Sequence, residues 1–202
     1  MKKLIVSLLA LASSSLAFAG SFEGAYVGAG AGGQYAENKN ATGDNGNLTN
    51  EKMSDTHFLG QITAGYGFDI NQDFNLTTNV FFNLSNDKTG STSGVTGKTK
   101  NNIGLSIEPG YYINKDTLAY IKLGYARLDS KLDSSLSSTS SNSTLDGFVY
   151  GVGAKYHIDK NIFVGAEVTE YNYGNNSVNL GGTATSYKTN QTTGLVNVGY
   201  QF

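Results

Sequence analysis

Four charged residues, Glu108, Lys122, Lys155 and Glu167, and two histidines, His57 and His157, are the side chains in this 202-residue sequence best suited to chemistry in a confined place. Each alternates with apolar neighbours, so each falls on the polar face of an extended segment. Two carboxylates and two ammonium groups balance in sign. If Ile113 pairs with Thr117 across one tight turn, Glu108 lies opposite Lys122; if Ile158 pairs with Ile162 across another, Lys155 is diagonal to Glu167. Such a set reads as a structural ion-pair cluster filling a narrow interior, in preference to a permeation site. Neither histidine shares a face with a serine it could activate, so both read as solvated rim residues, not as bases for a nucleophile. Gly28, Gly30 and Gly33 have the spacing of a dinucleotide fingerprint, but a polar, irregular stretch follows where that motif needs a helix. No metal-ligand cluster appears. The expected catalytic, cofactor-binding and metal sites are therefore none, and the chain is read as a non-enzyme.

Strands must hold these groups. Residues 191–202 set Val196, Val198, Tyr200 and Phe202 against Leu195, Asn197, Gly199 and Gln201, the pattern of a strand between lipid and a wet interior. Seven earlier stretches repeat it: 22–35, 56–68, 74–84, 101–113, 117–128, 147–158 and 162–173. The resulting fold class is all-β: an eight-stranded antiparallel transmembrane β-barrel with up-and-down meander topology. Links of about 15 to 20 residues alternate with turns of about 3 to 5, which predicts four polar loops outside and the short turns with both termini on the periplasmic side. Strands of about 11 to 13 residues at roughly 3.3 Å each, tilted by about 40°, clear an apolar band of roughly 25 Å. Pro109 is the misfit, because it cannot donate to a ladder and a closed barrel has no free edge; a bulge or a missing bond is expected there.

Composition agrees. The chain has 26 glycines, one proline, 13 tyrosines and no cysteine or tryptophan, which suits many strands closed on themselves without disulfides. Residues 1–19 read as a secretory signal, with Lys2 and Lys3 before an apolar run and Ala17-Phe18-Ala19 at the cut. Its removal takes the net charge from −2 to about −4 and leaves residues 20–202 as one barrel domain. A mildly acidic balance makes nucleic acid an unsuitable partner. Lys98, Lys100, Arg127, Lys131 and Lys188 fall near the outer rim, where cations can meet lipopolysaccharide phosphates, and the intervening Asn, Ser, Thr and Gly read as hydrated surface loops.

With the strands placed, the chain resembles the small OmpA-like and OmpX-like barrels of the outer-membrane β-barrel domain family. Gly24-Ala-Tyr-Val-Gly28, Gly110-Tyr-Tyr-Ile113, Tyr120-Ile-Lys-Leu-Gly-Tyr125, Gly165-Ala-Glu167 and Gly199-Tyr-Gln-Phe202 carry the resemblance. It implies residence in the outer membrane of a Gram-negative cell, contact with its lipids and lipopolysaccharide, and insertion by the β-barrel assembly machinery through a terminal signal at Val198, Tyr200 and Phe202. The chain stops at the eighth strand, so the periplasmic peptidoglycan-binding domain of the longer OmpA-like proteins is expected to be absent, and no cofactor is expected. The role it implies is structural, membrane-integrity or surface interaction with an extracellular ligand, the alternative being a small porin-like channel. A lipid A-modifying enzyme stands third, since His157-Ile-Asp159 lacks the His-x-Ser arrangement of the deacylases.

Overall fold

Alternation of outward apolar with inward small or polar residues is carried through eight strands in the computed structural model, which describes residues 22–42, 52–92, 95–134, 140–180 and 183–202. The strands are β1 (Gly24–Thr42), β2 (Lys52–Asp69), β3 (Phe74–Thr92), β4 (Val95–Asn114), β5 (Thr117–Ser134), β6 (Ser140–His157), β7 (Ile162–Leu180) and β8 (Thr183–Gln201). Each pairs with the next and β8 pairs with β1, so the sheet closes as an antiparallel meander. The expected signal segment, 1–19, lies outside the described residues.

Register sets the shape. From Gly28 the partners run through Thr63, Phe81, Gly104, Ala126, Gly147, Tyr173 and Thr189, and the circuit returns to β1 at Asn38, ten residues further on. A stagger of that size over eight strands tilts them by about 40° and leaves an interior only wide enough for side chains.

At the short-turn end the strand limits fall within one residue of expectation, except that β1 begins at Gly24 and not at 22. Asparagine and aspartate make those turns by accepting backbone N–H groups: Asn71 Oδ1 from Asp73 and Phe74 at 2.9 and 3.0 Å, Asn114 Oδ1 from Asp116 at 3.0 Å, and Asp159 Oδ1 from Lys160 at 2.6 Å.

The other end differs from the loop reading. The ladders continue well past the apolar residues, so the strands have 18 to 20 residues. At about 3.3 Å per residue and a tilt of about 40° they span about 45–50 Å, roughly 20 Å beyond an apolar band of about 25 Å. Residues 95–100 and 183–190, for example, are strand and not loop. Apolar alternation marks only where a strand meets lipid; a polar segment keeps its hydrogen bonds as long as its neighbour continues alongside.

Pro109 leaves the expected gap. On the β3 side it is the partner of Leu76, but the β4–β5 pairs pass from Ile107↔Leu123 to Gly110↔Tyr120 with no change of register. The ladder lapses there without a bulge.

The outer wall exposes a belt of large apolar side chains, among them Ile62, Leu105, Ile121, Val152 and Val196. Aromatic pairs edge it: Tyr66–Phe68, Phe74–Tyr111 and Tyr200–Phe202 towards the short turns and Tyr125–Phe148 towards the opposite end. In water such a belt would drive aggregation; in a bilayer it is the solvated surface.

Candidate functional site: a charged layer in the barrel lumen

The inward positions fill the lumen in three layers. Nearest the short turns, Phe22, Tyr26, Leu118 and Phe163 form an apolar cluster; towards the opposite end Phe81, Ala126, Leu128, Leu145, Val149, Tyr171 and Tyr173 form a second. Glu108, Lys122, Lys155 and Glu167 lie between them, none more than 5% exposed.

Glycine makes room for these rings. Gly104 is the direct partner of Phe81, Gly199 of Phe163, Gly65 of Tyr26 and Gly153 of Tyr120. A Cβ added at Gly104 or Gly199 would stand 2.2 or 2.1 Å from the opposing ring, and one at Gly65 or Gly153 within 2.6 Å of its tyrosine. The outer end of each ring therefore occupies the space that a side chain on the opposing strand would take, which is how large rings fit in so narrow a barrel.

The same device decides how the charges pair. Nearest-neighbour register expects Glu108 with Lys122 and Lys155 with Glu167. At the first turn Thr117 pairs with Asn114 and not with Ile113, across an irregularity after Tyr112, but further along the strands Glu108 still stands level with Lys122, and Glu167, the partner of Gly153, is diagonal to Lys155. The contacts are nevertheless exchanged. Lys122 Nζ donates to both oxygens of Glu167 at 2.7 Å, and Lys155 Nζ donates to Glu108 Oε2 at 2.7 Å. Lys122 approaches Glu108 only at 3.6 Å. The reason is the bare β6 backbone: Gly151 separates Lys122 from β7, and Gly153 separates Tyr120 from Glu167. Both side chains cross β6 to reach Glu167.

Every charge is satisfied more than once. Glu167 also accepts from Tyr120 Oη at 2.8 Å and from Thr169 Oγ1 at 2.7 Å. Glu108 Oε1 accepts from the Asn79 amide, whose own oxygen accepts from Ser106 at 2.9 Å. Lys155 Nζ lies 4.7 Å from the Tyr120 ring centre and 5.0 Å from that of Tyr26, and Lys122 Nζ lies 5.2 Å from that of Phe81. The cavity beside the cluster, about 20 Å³, has room for about one water.

His157 is not the solvated rim residue expected. It is 7% exposed, its ring 4.0 Å from that of Phe22, and its Nδ1 is 3.3 Å from the Asp159 carbonyl oxygen. Phe22, read as the start of the first strand, instead turns into the mouth, and β1 begins at Gly24. His57 is on the inner face and partly exposed.

Of the rim cations, Arg127 is held by its register partner Asp146, Nε to Oδ1 at 2.8 Å and Nη2 to Oδ2 at 3.3 Å. The side chains of Lys98, Lys100, Lys131 and Lys188 lie outside the described residues.

Val198, Tyr200 and Phe202 all face outward, and the Phe202 amide donates to the Ala25 carbonyl at 2.9 Å, tying the last residue to β1. Phe202→Asp is expected to leave export intact but to reduce the heat-modifiable, folded fraction, because it sets a charge in the aromatic edge of the belt. Equal folded fractions in variant and parent would count against a role in assembly.

No curated protein matches the sequence. Solved structures do match in fold: OprG from Pseudomonas aeruginosa, at 14% identity and a TM-score of 0.60, with 92% of this chain and 99% of that one covered; Neisserial surface protein A, at 18% and 0.56, covering 89% and 100%; and Ail, the attachment invasion locus protein of Yersinia pestis, in complex with a heparin analogue, at 16% and 0.53, covering 88% and 99%. The family model described as outer membrane protein beta-barrel domain matches residues 4–202, and with a closed eight-stranded barrel behind that match, the chain belongs to this outer-membrane family.

Proposed function

We propose that this outer-membrane barrel is a closed, non-catalytic scaffold that presents the polar ends of its strands at the cell surface for interaction with an extracellular ligand. The observation that carries this reading is the filled lumen: a charged layer between two apolar ones, with Glu108 and Lys122 each 2% exposed. An ion on its way through would have to displace buried, mutually neutralised side chains. The strand ends beyond the belt are the surface left to act, with the short turns in the periplasm and the belt in contact with membrane lipid and lipopolysaccharide. Insertion by the barrel assembly machinery belongs to the same reading.

The alternatives are a small porin-like channel and a lipid A-modifying enzyme. Against the enzyme stands the placement of His157, packed beneath Phe22 at the short-turn end with its Nδ1 3.3 Å from the Asp159 backbone carbonyl oxygen. Planar-bilayer recording of the purified, refolded protein separates scaffold from channel. The expected trace stays at the bare-membrane baseline; discrete conductance steps would overturn the proposal.

A further inference from the structure

The residues that lead into β1 form a strap across the short-turn mouth, and we propose that its Phe22 is a built-in cork which keeps water at that end from the charged layer. Five strands converge on this residue. Its amide donates to Tyr112 Oη on β4 at 2.7 Å, and that hydroxyl donates onward to Asp69 Oδ1 on β2 at 2.7 Å. Asn75 on β3 bridges the two, its amide 2.7 Å from the same Asp69 oxygen and 3.4 Å from the Phe22 carbonyl oxygen. The ring lies 4.0 Å from that of His157 on β6 and 5.9 Å from that of Phe163 on β7, and the residue is 3% exposed. One residue further on, the Glu23 carbonyl accepts from Gln201 on β8 at 2.9 Å.

Two glycines make the cork possible. Gly24 has a φ of 106°, a conformation other residues rarely adopt, and it turns the chain from the strap into β1. Gly67, its partner on β2, is where the Phe22 carbonyl folds back: a Cβ there would stand 1.9 Å from that oxygen. An anchored amide, a caged ring, a hinge and a seat cut to fit the carbonyl together describe a dedicated closure. Such a cork is independent of conduction, since it seals only the space below the charged layer.

Thr77 reports on that space. It is 2% exposed, and its register partners are Gly67 on one side and Glu108 on the other. The chain has no cysteine, so Thr77→Cys gives a single thiol whose reaction with 2-aminoethyl methanethiosulfonate, in detergent micelles, can be followed by mass. Modification is expected to be slow with Phe22 in place, about tenfold or more faster in Phe22→Ala and in Gly67→Ala, and close to the parent in Phe22→Leu, which refills the seat. Rates are read on the heat-modifiable fraction alone. If Phe22→Ala and Gly67→Ala yield no folded fraction, Tyr112→Phe decides, since it keeps the ring and removes only the hydroxyl that holds the Phe22 amide; it too should react faster. Fast modification with Phe22 in place, or rates in the folded Phe22→Ala, Gly67→Ala or Tyr112→Phe variants within about twofold of the parent's, would overturn the cork.

Discussion

Lys122→Met is expected to cost about 3 to 5 kcal/mol of unfolding free energy, the range for breaking a buried ion pair, because Glu167 loses the ammonium that holds both its oxygens at 2.7 Å. Lumen water is little help to the stranded carboxylate, since the cavity beside it is about 20 Å³, room for about one molecule. The second mutation tests the exchanged pairing. Adding Glu167→Gln removes both charges together, keeps an acceptor for Tyr120 and Thr169, and leaves Lys155 with Glu108 at 2.7 Å untouched. That double variant should regain half or more of the loss. Adding Glu108→Gln instead takes away the partner of Lys155 while Glu167 remains stranded, so it should regain little. Urea titration of the refolded protein in lipid vesicles gives all four midpoints. If the two double variants are equally stable, or Lys122→Met matches the parent, the carboxylates do not divide the lysines as described.

Phe81→Ala is expected to cost about 3 to 5 kcal/mol, and Gly104→Ala, its partner, about 1 to 3 kcal/mol from overpacking. Phe81 is fully buried, and a Cβ at Gly104 would meet its ring edge at 2.2 Å. The two changes should not add. Once the ring has gone, the new methyl enters space the ring occupied, so the double variant should be more stable than the sum of the singles implies by about 0.5 to 3 kcal/mol. Simple additivity in the same titrations would mean that Gly104 is glycine for a reason other than the ring.

Strand number, closure, the short turns and the inward placement of Glu108, Lys122, Lys155 and Glu167 are all legible in the sequence, because period two is imposed locally by the pleat and a lipid boundary makes one phase of it apolar. Register along the strands follows too, since a two-sided wall tolerates no slip by one residue, although the last pair at one turn is Asn114↔Thr117 in place of Ile113↔Thr117. Even the lapse at Pro109 can be expected from its missing N–H alone.

Tertiary structure decided the rest. Where the strands end was hidden, because past the lipid the outward face is polar and the alternation fades, while the ladder depends only on a neighbour alongside. The pairing of the charges was hidden as well: register names the nearest residue on the same wall, but in a closed barrel a lysine reaches two strands away when glycines such as Gly151 and Gly153 leave the intervening backbone bare. Read in advance, those inward glycines would have been the signal. Phe22 departs from the strand pattern for a related reason. Its fate depends on Tyr112, His157 and Phe163, which meet at the mouth only after the first strand has closed on the last. Period two tells which face a residue takes; what stands opposite it across the lumen follows only from the circumference and the stagger of the closed sheet.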